Sequence, residues 1–167
     1  MPVRVEPATI PWLEALVGGN GEFTARFGPP VESGWAVYPE AVVHALDAVR
    51  MGADPAWGTH LFFDDDTDGA LVGFGGWKGP PASGVVELGY AVAPSRRGRG
   101  IATAVVRTLI GRAAAAGATT VRAHTLPEES ASTTVLRRTG FTLVGDATEG
   151  SQPVWRWERP ARDEAPG

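Results

Sequence analysis

The segment that decides the fold is Arg96-Arg97-Gly98-Arg99-Gly100-Ile101-Ala102-Thr103-Ala104. It follows a strand-like run, Val85 to Ala93, that Pro94 closes, and it opens an alanine-rich amphipathic run that reaches about Ala116. Two glycines allow a tight turn with exposed N–H groups, and a helix N-terminus carries a partial positive charge. This junction therefore predicts an anion cradle, with phosphate as the usual anion. Three arginines add charged hydrogen-bond donors.

The bulk composition bounds the class of protein. A length of 167 residues favours one domain, which we expect to span residues 1–160 with a frayed tail over 161–167. A net charge of −4 argues against a nucleic-acid binder. The chain has no cysteine, and its three histidines are too few and too scattered to suggest a metal centre. No apolar run has membrane-spanning length and no secretory signal is present, so we expect a cytoplasmic protein without metal or membrane partner.

Periodicity along the chain predicts helices first and then a sheet. The strand–helix–strand unit at 85–125 requires a parallel pairing with a right-handed crossover, whereas the hairpins require antiparallel pairing. We therefore predict an α/β (α+β) fold with a mixed, mostly antiparallel sheet of about seven strands and helices on both faces. The predicted strands are 3–6, 60–63, 70–77, 85–93, 121–125, 141–144 and 154–158, and the predicted helices are 11–17, 20–27, 39–51, 101–116 and 130–139.

An aspartate-rich run, Asp64 to Asp68, joins two of the predicted strands. It lacks the glycine and the glutamate that a calcium-binding helix–loop–helix requires at fixed positions. Aspartate and glycine are turn-forming residues, so we interpret the run as a solvated hairpin turn.

Two motifs resemble those of the GNAT superfamily of acyl-CoA-dependent N-acyltransferases. The run 97–102 (Arg-Gly-Arg-Gly-Ile-Ala) stands where the family has Gln/Arg-x-x-Gly-x-Gly/Ala, between its fourth strand and the next helix. Downstream, 125–141 resembles the family's segment with an Asn, a Ser three residues later and a short helix that closes on Gly-Phe. The upstream run Glu87-Leu88-Gly89-Tyr90 looks like the branch that includes ribosomal-protein and alanine N-acetyltransferases. The resemblance covers about residues 57–145.

Two positions depart from the family pattern. Glu129 occupies the family's Asn position, which puts an amide contact to the cofactor in doubt. Leu136 occupies the position where many members have a Tyr that protonates the leaving thiolate. Another residue or water would then supply that proton, or the thiolate would leave without it.

The resemblance implies acetyl-CoA as co-substrate. Backbone N–H groups near 98–103 would hold the pyrophosphate, and the pantetheine arm would pair like an extra strand with the strand that ends at Val92-Ala93. An N–H near Ala91 or Val92 could donate to the oxyanion of a tetrahedral intermediate. Arg96, Arg97 or Arg99 either contacts the 3′-phosphate or faces solvent. The expected cofactor-binding residues are Ala91, Val92, Ala93, Arg97, Gly98, Arg99, Gly100, Ile101, Ala102, Thr103 and Ser132.

The expected reaction is direct attack of a primary amine, on a small molecule or a peptide N-terminus, on the thioester. The amine must first lose a proton, and Glu87 is our candidate for the base or the amine anchor, with a structural ion pair as the alternative. We interpret Tyr90, His60 and His124 as packing residues, and Ser132 as either a pantetheine contact or a helix cap. The expected acceptor contacts are Phe27, Trp35, Glu87 and Trp155.

Two other functions compete with N-acyl transfer. A dinucleotide-binding fold is disfavoured, because Thr103 stands where the third glycine of its fingerprint would fall. A non-catalytic acyl-CoA-binding or sensing module on the same fold remains open, given Glu129 and Leu136. A homodimer is possible, since dimers are common in the family.

Overall fold

The computed structural model describes residues 3–163, and these residues build one seven-stranded sheet. The strand order is β1-β2-β3-β4-β5-β7-β6, and all neighbours pair antiparallel except β4 and β5, which are parallel. The predicted mixed, mostly antiparallel sheet is confirmed. The strands are β1 (Val3–Pro7), β2 (Thr59–Asp64), β3 (Ala70–Trp77), β4 (Val85–Val92), β5 (Thr120–Thr125), β6 (Thr142–Glu149) and β7 (Gln152–Pro160).

Five helices cover the two faces of this sheet. Helices α1 to α3 pack on one face through a core that includes Phe63 and Phe74, and α4 packs on the other face through Val105 and Leu109. The alternation of side chains along each strand divides the apolar residues between these two cores. The helices are α1 (Ile10–Gly18), α2 (Asn20–Phe27), α3 (Pro39–Arg50), α4 (Ile101–Ala115) and α5 (Ala131–Arg138).

Local capping explains where two of the helices begin. The Thr9 side chain accepts a hydrogen bond from the Trp12 N–H at 3.3 Å, and a proline occupies the first turn of α1, as the sequence predicted. At α5, Ser130 and Thr133 form a reciprocal capping box. The cap of α5 is therefore Ser130, so capping does not account for Ser132.

The hairpin turn between β2 and β3 forms as predicted, but its aspartates are not simply solvated. Arg96 is 7% exposed, and its guanidinium reaches Asp64 at 2.8 Å, Glu32 at 2.7 Å and Asp68 at 2.9 Å. Arg96 therefore ties the turn and the loop after α2 to the start of the anion cradle. Neither alternative predicted for Arg96, a 3′-phosphate contact or a solvent-facing side chain, agrees with the structure, because the side chain is buried and three carboxylates bind its guanidinium.

The C-terminal segment is ordered further than predicted. Ala161 is 3% exposed, and its N–H bonds to the Thr119 carbonyl at 2.9 Å, so the frayed tail does not begin at 161. Residues 164–167 of the predicted tail lie outside the described residues. Within residues 3–163, none of the helices is both long and apolar enough to cross a membrane.

Replacing Arg96 by methionine should destabilise the fold by about 3 kcal/mol, because it leaves the buried Asp64 carboxylate without its partner. Hydrogen bonds from Arg96 also lower the pKa values of Glu32 and Asp68 below their ordinary 4.5 and 3.8. Lowered carboxylate pKa values stabilise the fold above the ordinary values, and that contribution is lost as the pH falls through the lowered ones. Denaturant unfolding from pH 7 to pH 3 should show the deficit of Arg96→Met shrinking below about pH 4.

The matched control is Arg26→Met, which removes an exposed ion pair with Glu22 on one helix. Such a pair contributes at most about 0.5 kcal/mol. A loss below about 1 kcal/mol in Arg96→Met would contradict the account of this buried cluster.

Candidate active site

The two parallel strands at the centre of the sheet separate halfway along. β4 and β5 pair from Val85–Thr120 to Leu88–Ala123, and no pairing between them continues beyond that point in the described chain. The remaining half of β4, Gly89 to Val92, therefore has an open edge towards β5. We call the space between these two diverging strands the strand gap.

Backbone directions at this edge follow from the pairing of β4 with β3. The Ala93 N–H bonds to the Val72 carbonyl at 2.7 Å, and the Lys78 N–H bonds to the Glu87 carbonyl at 3.0 Å. Alternate residues of a strand turn their N–H and C=O groups to the same neighbour, so the odd-numbered residues 87–93 face β3. The N–H groups of Tyr90 and Val92 consequently face the strand gap. Of the two oxyanion donors considered from sequence, Ala91 faces β3, and Val92 has the required direction.

The anion cradle has the predicted geometry. Gly98 and Gly100 have φ of 77° and 78°, a left-handed conformation that only glycine adopts without strain. Gly100 precedes α4, and the first backbone bond into the helix goes from the Ala104 N–H to the Gly100 carbonyl. The N–H groups of residues 101–103 therefore point out of the helix end, and the first turn contains no acidic residue. Such an end suits a pyrophosphate.

The two remaining arginines of the cradle have different surroundings. Arg97 is exposed, and its Nε donates to the Val92 carbonyl at 3.2 Å, which satisfies one acceptor at the edge of the strand gap. Arg99 is exposed beside the helix end. Both side chains lie where an anion at the cradle could meet them, and a contact of either with the 3′-phosphate stays a prediction.

A cavity of about 680 Å³ lies at the strand gap. Its lining includes Gly89, Tyr90 and Ala91 of β4, Tyr38 before α3 and Gln152 at the start of β7. The cavity, the open strand edge and the cradle together fit a long phosphorylated arm such as coenzyme A.

Charged side chains from four strands and from the loop after β3 meet beside this cavity, and Lys78, His124 and Glu149 line it. Lys78 Nζ lies 2.5 Å from Glu87 Oε2 and 3.1 Å from Glu149 Oε1, and His124 Nδ1 lies 3.1 Å from an oxygen of each glutamate. Arg156 Nε donates to His124 Nε2 at 3.1 Å. We call these five residues the charged cluster. Two carboxylates thus hold one primary ammonium beside the strand gap.

The hydrogen bonds of His124 determine its tautomer. An arginine only donates, so Nε2 accepts from Arg156, and the ring proton lies on Nδ1, facing Glu87 and Glu149. The angles at Nδ1 fall short of good hydrogen bonds although both distances are 3.1 Å. The cluster has the donor atoms of a metal site, with Glu87, His124 and Glu149 atoms within 4.8 Å of one another. The proton on Nδ1 and the ammonium of Lys78 favour a bound ammonium over a metal ion.

Tyr90 and Ser132 meet on the opposite wall of the cavity. The Tyr90 hydroxyl is buried and faces Ser132 without a hydrogen bond of ordinary geometry. Burial raises the pKa of Tyr90 to about 12, with Ser132 opposing that shift. The hydroxyl therefore keeps its proton at neutral pH and has a proton to donate inside the cavity. The apolar side chain of Leu136 has none. Tyr90 packs against the α4 core as expected, and it also lines the cavity.

The other predicted acceptor contacts are not brought together with Glu87. Trp35 is 4% exposed and lines a separate cavity of about 370 Å³. Phe27 packs against Trp12 and Phe23 on α1 and α2. Trp155 and Trp157 pack edge to face on the side of the sheet opposite to the charged cluster, because β7 turns Arg156 to the cluster and its neighbours away.

Sequence reasoning missed Lys78, Glu149 and Arg156, and it interpreted His124 only as a packing residue. These residues are remote from one another in sequence and meet only through strand pairing, such as His124 with Arg156. One signal was available, since Lys78 is the only lysine of the chain.

Replacing Gly100 by valine should abolish the stabilisation that coenzyme A gives, because a β-branched residue strains the left-handed turn and moves the cradle N–H groups. Gly52, with a φ of 93° after α3 and open space around it, provides the matched control Gly52→Val. Each variant should lose about 1–2 kcal/mol of stability without ligand. At a concentration 100 times its Kd, coenzyme A should add about 2.7 kcal/mol to wild type and to Gly52→Val. Thermal unfolding measures both effects, and full protection of Gly100→Val would refute the cradle.

Comparison with known proteins shows the family of the chain. The sequence profile of the Acetyltransferase (GNAT) domain matches residues 13–142, which is most of the chain. No curated protein sequence matches at a significant level.

Solved structures share the fold at low identity. The ribosomal-protein-S5-alanine acetyltransferase of Vibrio fischeri has a TM-score of 0.67 at 14% identity, with 99% of this chain and 97% of that chain covered. The Salmonella typhimurium acetyltransferase that modifies the N-terminal serine of ribosomal protein L7/L12 has a TM-score of 0.67 at 18% identity, covering 95% and 94%. Mycobacterium smegmatis RimJ, in complex with a CoA disulfide, has a TM-score of 0.64 at 21% identity, covering 95% and 82%. With the profile match and the cradle described above, the chain belongs to the GNAT family of acetyl-CoA-dependent N-acetyltransferases.

Proposed function

We propose that the protein transfers the acetyl group of acetyl-CoA to a primary amine, carried by a small molecule or a peptide N-terminus. The observation that carries this proposal is the pair Glu87 and Glu149, which holds an ammonium group beside the strand gap. Acetyl-CoA supplies an activated thioester, and the protein must place an amine against it. Acceptors that approach as ammonium ions are the ones that a pair of carboxylates selects.

Glu87 is the residue that we propose as base. An ammonium has no free electron pair, so it must lose a proton before it attacks a carbonyl carbon. Glu87 stands on β4 one residue before the last pair with β5, so its carboxylate lies where the strand gap begins. Glu149 would anchor the same ammonium from the opposite side, and His124 would hold the two carboxylates at their spacing.

Val92 is the residue that we propose as oxyanion donor. Its N–H faces the strand gap, and a fixed backbone donor stabilises the charge that develops on the carbonyl oxygen during attack. The same edge offers the Tyr90 N–H to the pantetheine arm, which would lie in the gap as an additional strand. The strand gap supports this proposal, because β4 no longer pairs with β5 at Tyr90 and Val92, the two residues whose N–H groups face the gap.

A peptide N-terminus is one of two acceptor classes that fit. The Salmonella typhimurium relative modifies the N-terminal serine of a ribosomal protein, and an extended peptide would enter the cavity past Tyr38 and Gln152, which both line it. A small amine with an apolar body would enter the same way, since the lining residues Tyr38 and Leu126 are 60% and 55% exposed. A cytoplasmic location, a homodimer, and the expected lack of nucleic-acid, membrane and metal partners stay predictions.

Replacing Glu87 by glutamine should lower kcat/KM by about a hundredfold or more, because the amide cannot accept the proton. The measurement is release of free thiol from acetyl-CoA with a panel of amino acids, polyamines, aminoglycosides and N-terminal peptides. The matched control is Glu14→Gln, which removes an exposed ion pair with Arg50 and should leave kcat/KM unchanged.

Two outcomes would count against the proposal. A loss of only a few-fold in Glu87→Gln would remove Glu87 from the role of base. Wild-type protein that binds coenzyme A but acetylates no amine in the panel would favour the non-catalytic acyl-CoA-binding module.

A further inference from the structure

The chain contains a single lysine. Lysine and arginine together number 15, and every one except Lys78 is arginine. Arginine forms two-carboxylate ion pairs at least as well as lysine, as Arg96 demonstrates in this protein. What lysine offers in addition is a primary amine that can lose its proton and act as a nucleophile.

The one primary amine among the side chains lies against the proposed base. Lys78 follows β3 directly, and its N–H bonds to the Glu87 carbonyl at 3.0 Å, so the two residues face each other across paired strands. Lys78 Nζ then approaches Glu87 Oε2 to 2.5 Å and Glu149 Oε1 to 3.1 Å. A purely structural ion pair would need only one carboxylate. Here Lys78 contacts two glutamates, and both of them also face His124.

Lys78 also faces the acetyl donor's expected position. Lys78, Gly89 and Ala91 line the same cavity, and Gly89 and Ala91 belong to the half of β4 that borders the strand gap. The lysine side chain is 55% exposed, so Nζ has room to move along the cavity wall. It thus occupies the position that an acceptor ammonium needs.

We propose that Lys78 is a self-acetylation site, at which the protein transfers an acetyl group from bound acetyl-CoA to its own side chain. This inference rests on the proposed function, since it uses the same donor and the same base. Acetylation would cancel the charge of Lys78 and break its ion pairs with Glu87 and Glu149, which changes the acceptor site itself.

The transfer balances in protons and electron pairs. Lys78 Nζ gives one proton to Glu87, and its freed electron pair forms the N–C bond to the thioester carbonyl carbon. The C–S bond breaks, and its electron pair leaves with the coenzyme A sulfur. The sulfur takes a second proton from the nitrogen, and the third proton remains on the new amide. No oxidant, reductant or metal is required.

The charged cluster controls the rate of this reaction through the pKa of Lys78. Burial alone would lower the pKa of Lys78, but hydrogen bonds to Glu87 and Glu149 outweigh it and raise that pKa above its ordinary 10.5. Less free amine is present at neutral pH as a result. Self-acetylation should be slow there. Because Glu87 takes the proton within the ion pair, its rate should change little between pH 7.5 and 8.5, whereas chemical acetylation of a free amine rises about tenfold per pH unit below the pKa of that amine.

The test incubates the purified full chain with acetyl-CoA and no added amine, at pH 7.5 and 8.5, and follows the intact mass. One added acetyl group on a lysine identifies Lys78 without ambiguity. Trypsin digestion confirms the site, because acetylation blocks cleavage after Lys78 and joins residues 51–78 to 79–96.

Three comparisons separate self-catalysis from chemical acetylation. Wild type should acetylate Lys78 roughly a hundredfold faster than Glu87→Gln or the urea-unfolded chain, which lack the base or its placement. Glu14→Gln should behave as wild type. Dilution of the protein at saturating acetyl-CoA should leave the rate per molecule unchanged, as transfer within one chain requires.

Lys78 that stays unmodified, or reacts no faster in the folded chain than in urea, would overturn the inference. A rate per molecule that rises with protein concentration would overturn transfer within one chain. If coenzyme A still stabilises the chain and added amines are acetylated, only the self-acetylation of Lys78 fails. If coenzyme A does not bind at all, the proposed function fails with it.

Discussion

The structure depends on the separation of β4 from β5 after the Leu88–Ala123 pair. Separation is costly, because N–H and C=O groups in the middle of a sheet normally pair, and leaving one unpaired away from water costs about 1–3 kcal/mol. This fold offsets part of that cost at one acceptor, since Arg97 donates to the Val92 carbonyl. The N–H groups of Tyr90 and Val92 keep their direction towards the gap. An extended ligand can therefore pair with the open edge of β4 as an additional strand. The anion cradle at the start of α4 follows β4 directly in the chain.

The charged cluster lies at the closed end of the strand gap. The negative charges of its two glutamates are balanced by the positive charges of Lys78 and Arg156. The neutral ring of His124 lies between the glutamates and Arg156. The balanced charge lowers the cost of placing these groups in a half-buried wall. Under the proposed function, an acceptor ammonium would compete with Lys78 for the same two carboxylates. Substrate binding would then exchange one ammonium for another.

Local patterns predicted the fold and the backbone geometry of the proposed donor site, and long-range pairing explains most of what they missed. The glycines and the helix start at 98–103 act through backbone geometry, which a short sequence determines, so the cradle could be predicted. The charged cluster could not be predicted, because Lys78, His124 and Glu149 are far apart in the sequence. They meet only through the register in which the strands pair. Arg96 was misassigned for the same reason, since its three carboxylates lie 28 to 64 residues away in the chain. Trp155 was misassigned because its strand parity turns it to the opposite face.

The most direct measurement of the central claim is amide hydrogen exchange with and without saturating coenzyme A, resolved at single residues by NMR. The account predicts new protection at the Tyr90 and Val92 amides and in residues 101–103. Little change is expected at Ala91, whose N–H already faces β3. Coenzyme A that saturates the protein yet leaves the Tyr90 and Val92 amides unprotected would contradict the claim that the strand gap receives the cofactor.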